Sequence, residues 1–206
     1  MMTTNASAAL RLENHAASRS IRLFSPYKLQ ATLQRLLVSA VLLLLTGCMD
    51  TTHFIKDQSG SIPARASYYI AQPDDGMYGA KTYVGSGKMT SAIIKAALQK
   101  KSQTVVSARR VESFDQALDS ARLSGCSYLV FPIILHWEDR ATEWNFLRDK
   151  VQVKIDLVDV FTGEAESSTL IEGKSGIATL GGDHPQDLLP EPINEYFQSV
   201  FTTPRP

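Results

Sequence analysis

Residues 128–135 read YLVFPIIL, a nearly unbroken apolar run that decides the fold. A strand with one wet face alternates apolar and polar side chains, so a continuous run of this length predicts a strand covered on both faces, the centre of a sheet. Pro132 lies inside it and cannot donate a ladder hydrogen bond, which calls for a bulge or a locally exposed edge.

The neighbouring elements follow from that strand. Downstream, Val151, Val153, Ile155 and Leu157 alternate with Gln152, Lys154 and Asp156, the pattern of a half-buried strand. Phe161-Thr162-Gly163-Glu164 reads as a hairpin turn into a further strand over 165–171. Upstream, Ser113 and Gln116 have capping-box spacing before a helix carrying Ala117, Leu118 and Ala121, which Gly125 closes. Before it come a short strand at 104–107 and an amphipathic helix carrying Met89, Ile93, Ile94, Ala97 and Leu98, with Lys100 and Lys101 at its end. Residues 66–71 (ASYYIA) form the first strand, and Pro192 is placed to open a last helix with Ile193, Phe197, Val200 and Phe201. The expected fold is an α+β domain over 66–201. Its mixed sheet has about five strands, helices pack mainly on one face, and the order is β-α-β-α-β-β-β-α.

The helix running into Ser124-Gly125-Cys126-Ser127-Tyr128-Leu129-Val130, followed by Ile155-Asp156-Leu157-Val158-Asp159-Val160-Phe161-Thr162-Gly163-Glu164, resembles periplasmic domains of three kinds. They are the curli-secretion lipoprotein, the penicillin-binding-protein activator lipoproteins and the amino-terminal domain of the translocation protein TolB. As a whole the chain resembles an uncharacterised family of small Gram-negative lipoproteins known as a domain of unknown function, number 4823. That resemblance implies docking to other envelope components, an analogy of fold rather than of a site.

The first 47 residues carry a different message. Residues 36–45 (LLVSAVLLLL) follow Arg35, and acids are absent from 14 to 48, so the segment reads as an export signal. Ten helical residues span roughly 15 Å against a hydrocarbon core of about 30 Å. The apolar stretch ends in Leu45, Thr46, Gly47 and Cys48, which resembles a lipobox. The resemblance implies cleavage before Cys48, acylation of its thiol and stable anchoring in a lipid bilayer by two or three acyl chains. Met49 stands where inner-membrane retention usually needs aspartate, so the expected address is the periplasmic face of the outer membrane. Residues 1–47 are thus read as a signal peptide, longer than usual, as an over-called start would make it. Residues 48–65 are read as a polar tether and 202–206 as a flexible tail.

After Cys48 the chain keeps 16 basic and 20 acidic side chains, a formal charge of −4, which gives no general attraction for nucleic acid. With Cys48 acylated, Cys126 remains alone and reads as a small buried hydrophobe.

No catalytic set or cofactor site stands out. Gly85-Ser86-Gly87-Lys88-Met89 invites a phosphate-loop reading, but Thr82 and Met89 occupy the places where the motif needs glycine and Ser or Thr. His136 and Glu138 share one strand face, yet two ligands do not make a metal site. The same stretch offers a partner surface, because Trp137, Arg140 and Trp144 have the composition of interaction hot spots; the competing reading packs both indoles inside. The expected function is a non-enzymatic binding or accessory lipoprotein with an envelope protein partner. The alternative is a small periplasmic hydrolase or ligand-binding domain, which a polar pocket joining Asp74, His136 and Asp183 would support. Oligomeric state is left open.

Overall fold

A computed structural model describes residues 51–59, 62–63, 65–140, 147–176 and 184–202, together with Gln34. The elements described here belong to one unit, Thr46–Pro206. From Tyr68 onward the main elements follow the expected order: β3 (Tyr68–Gln72), α1 (Ser86–Gln99), β6 (Val105–Val111), α2 (Phe114–Leu123), β7 (Tyr128–Glu138), β8 (Lys150–Asp159), β9 (Ala165–Lys174) and α3 (Pro190–Val200). Shorter pieces surround them: β1 (Thr51–Ser59), β2 (Ile62–Pro63), the hairpin β4 (Met77–Tyr78) and β5 (Lys81–Thr82), a 3-10 turn at Pro185–Leu188, and β10 (Phe201–Thr202), which pairs with β2.

The sheet has six strands in the order β1-β9-β8-β7-β3-β6. β3 is parallel to both β6 and β7, whereas β7, β8, β9 and β1 run antiparallel in succession. The parallel part explains where the helices lie. The crossover through α1 leads from β3 outward to β6, and the crossover through α2 returns past β3 to β7. Two crossovers of one hand running in opposite directions leave their helices on opposite faces. Ile94, Ala97 and Leu98 of α1 accordingly pack with Tyr68, Ile70 and Val130, joined by Ile193, Tyr196, Phe197 and Val200 of α3. Ala117, Leu118 and Ala121 of α2 pack with Tyr69, Ala71 and Leu129 on the other face.

Several local expectations appear as read. Val151, Val153, Ile155 and Leu157 are fully buried. The Ser113–Gln116 capping box is formed in both directions, and Gly125 leaves α2 at φ +67°, a conformation costly for any residue with a β-carbon. Cys126 is a free buried thiol, and burial pushes its pKa up.

Three readings change. Coverage of β7 on both faces is complete only at Leu129 and Val130, where its pairing with β3 stops; beyond them Pro132 is buried, Ile133 exposed and Ile134 partly buried. Pro132 therefore stands where β7 has an edge on the β3 side, and the bulge comes later, between Ile134 and His136. The stretch expected as a tether holds β1, whose Thr51–Ser59 backbone pairs antiparallel with β9; without it the far side of β9 would be an open ladder of unpaired backbone groups. Finally, α3 begins at Pro190, two residues before the expected Pro192, and Phe201 belongs to β10.

Candidate functional site

The densest group of titratable side chains lies where β7 leaves the sheet and β8 joins it. The bulge at Leu135 sets its geometry. An extra residue in one strand of an antiparallel pair reverses the faces of everything after it, so Trp137, opposite Val151, turns into the core and is 1% exposed. This corrects its assignment as a docking residue: the indole is a wall of the α1 and α3 core. Trp144, Asp183 and the lipobox residues Leu45, Thr46, Gly47 and Cys48 lie outside the described residues.

Next to Trp137, the Glu138 side chain is 2% exposed and sits among basic side chains. Its Oε2 faces His136 Nε2 at 3.0 Å and Lys150 Nζ at 3.6 Å, and its Oε1 pairs with the Arg140 guanidinium. Burial alone would raise the carboxyl's pKa, but hydrogen bonds from His136 and Arg140 and the charges of Lys150 and Arg140 outweigh it. The net direction is downward. Tyr78 of the β4–β5 hairpin closes the group, edge-on to His136 at 5.5 Å and beneath the Arg140 guanidinium at 4.8 Å. Arg140 is thus exposed, as expected of a surface residue, but it is also fixed in place.

A second cluster joins residues far apart in sequence. Asp139 Oδ1 lies 3.2 Å from His184 Nδ1, and Asp149 Oδ1 accepts the Arg140 backbone N–H. Ligand atoms of Asp139, Asp149 and His184 all lie within 4.8 Å of one another. No spacing in the sequence signals this convergence; the pattern there points to His136 and Glu138 instead. A cation placed here would have to displace the His184–Asp139 hydrogen bond, and that bond, the leading cause, raises the His184 pKa.

Asp75 and the N-terminus of α1 settle the phosphate reading. The Asp75 carboxylate accepts the backbone N–H groups of Gly85 (3.0 Å) and Gly87 (2.9 Å), and Ser86 Oγ accepts from Gly76 N–H at 2.7 Å. The anion that a glycine-flanked helix start attracts is here supplied by the protein. A β-carbon on Gly87 would meet the Pro73 carbonyl oxygen at 2.3 Å, which accounts for the glycine by close approach rather than ligand binding. Asp74 is exposed on the same turn and does not line the cavity that His136 lines.

A family model for a domain of unknown function, DUF4823, matches residues 61–200. The chain belongs to the DUF4823 family. None of the curated proteins matches it. Among solved structures, the DUF4823 chain is similar to the PelC dodecamer from Paraburkholderia phytofirmans, at 12% identity over 71% of this chain and 97% of that one, with TM-score 0.57. It is also similar to lipoprotein GNA1162 from Neisseria meningitidis, at 14% identity over 66% and 94% of the two chains, TM-score 0.42. The C-terminal domain of LpoB from Escherichia coli matches at 14% identity over 55% and 86%, TM-score 0.39. At these identities the PelC likeness shows the fold alone.

Proposed function

We propose that this DUF4823 chain is a lipoprotein of the bacterial envelope, acylated at Cys48 and held on the periplasmic face of the outer membrane, where it acts by binding an envelope protein. The lipobox-like residues 45–48 support the anchor, and no described helix is long and apolar enough to cross a membrane. PelC, with the same fold, forms a dodecamer, which supports a role within an assembly.

Glu138 carries the binding reading. A general acid or base working near neutral pH needs a pKa near neutrality. Glu138, a buried carboxylate, is instead drawn downward by His136, Arg140 and Lys150, so its charge ties these three side chains to the end of the sheet. Rigid placement of an exposed guanidinium is what a contact surface requires. Arg140 is the proposed contact residue, together with Trp144 from the sequence pattern.

A photo-crosslinking amino acid at position 140 in intact cells tests this. The expected product is one discrete adduct with an envelope protein, absent when the same group replaces Thr162 in the β8–β9 turn. Identical adducts from both positions, or none from 140, would overturn the reading.

A further inference from the structure

The pairing of β1 changes how far an anchored domain can stand from its membrane. Only Met49 and Asp50 separate Cys48 from Thr51, the first residue of β1. Three Cα–Cα steps reach about 11 Å at most. Thr51 lies opposite Lys174, and Lys174 lies opposite Lys150, which in turn pairs with Glu138, so one row of residues closes this end of the sheet. Neighbouring strands are about 4.8 Å apart, so both lysines are within two strand spacings of the point where the chain leaves for Cys48.

At that end Lys150, Lys174 and Arg140 are exposed and Arg148 partly so, while among the acids Glu138 and Asp149 are buried and Asp139 and Glu172 half-buried. A chain that is net acidic after Cys48 thus presents cations here. Lys150 and Lys174 face each other directly across β8 and β9, an arrangement of like charges that Glu138, 3.6 Å from Lys150 Nζ, offsets only in part. Both also line a cavity of about 340 Å³ that opens at this end and includes His136, Gln152 and Glu172, the last accepting a hydrogen bond from Gln152.

We infer that this sheet end rests on the bilayer surface, with Lys150 and Lys174 against the phosphates of phospholipid headgroups. The inference builds on the proposed acylation of Cys48. The short connection supplies proximity, and the lysines supply the orientation. The β8–β9 turn then points into the periplasm, roughly 30 Å away along strands of this length.

The test uses the full-length protein, purified from membranes and reconstituted into phosphatidylethanolamine and phosphatidylglycerol vesicles, with the Cys48 acyl chains read by mass. Spin labels on Leu147→Cys and Thr162→Cys report collisions with a nickel chelate fixed to lipid headgroups. Collisions at 147 are expected to exceed those at 162 by roughly fivefold, since a chelate held at the headgroups does not reach a label roughly 30 Å away. Combining Lys150→Gln with Lys174→Gln should lower the signal at 147 by about twofold or more, with a cooperative melt and an unchanged circular dichroism spectrum confirming the fold. Equal signals at 147 and 162 in an acylated chain would overturn the placement while leaving the anchor intact. An unchanged 147 signal in the lysine variant would overturn the role of the lysines. A chain without acyl groups would overturn both readings.

Discussion

Gly76 and Trp137 meet so closely that a β-carbon on the glycine would lie 2.5 Å from the Trp137 Cβ and 2.9 Å from Ile134 Cγ2. The turn after β3 is therefore pressed onto β7 just where the bulge has turned the indole inward. Gly76→Ala must push one of these segments away, and overpacking of this kind costs roughly 1–3 kcal/mol. The midpoint of urea unfolding should fall accordingly. A midpoint unchanged from the parent would show that the turn is not held against β7.

Truncating the indole has the opposite geometry and the same direction. Trp137→Ala leaves a cavity in the α1 and α3 core and should cost about 3–5 kcal/mol, with Trp137→Phe costing less. Thermal unfolding measures it. A variant as stable as the parent but defective in binding would restore the indole to the surface.

Asp75→Ala removes the acceptor for the Gly85 and Gly87 N–H groups at the start of α1. Loss of a cap of this kind costs roughly 0.5–2 kcal/mol. The check is amide hydrogen exchange: protection should drop in the first turn of α1 while β8 keeps its own.

Two groups make stability depend on pH in opposite senses. The folded-state pKa of Glu138 lies below its unfolded value, so its contribution is present above that unfolded value and lost as pH falls through the lower one. His184 is raised by Asp139, so its contribution is complete below the unfolded imidazole pKa and fades as pH rises through the higher folded one. Denaturation midpoints from pH 3 to 8 should show Glu138→Gln flattening the acid limb, and His184→Asn removing the decline on the neutral side. Parallel curves for parent and variants would disprove these assignments.

The parts of this fold that could be read from sequence are those whose causes are local. Alternation in β8 is set by its own side chains, and the Ser113–Gln116 box spans a single helical turn. Trp137 was illegible because its direction depends on one unpaired residue, Leu135, and a shift of one residue exchanges the two faces of a strand. β1 was illegible because Thr51–Ser59 lacks clean alternation; the open side of β9 recruits it. Asp139, Asp149 and His184 converge only after the sheet has formed, and no spacing rule links them. The basic cradle of Glu138 is half visible, since His136 two residues away shares its face, but the reach of Lys150 is tertiary.

The outermost position of β1 also orders events in time. Ribosomes deliver the amino end first, yet Thr51 has no ladder partner until Lys174 has been made. Contacts between β3, β6 and β7 span much shorter stretches of chain and close earlier, because loop closure grows costlier with length. The first of the described strands to be synthesised is therefore among the last to find its place. Throughout that interval it is an unpaired edge, the kind of segment that chaperones and misassembly compete for.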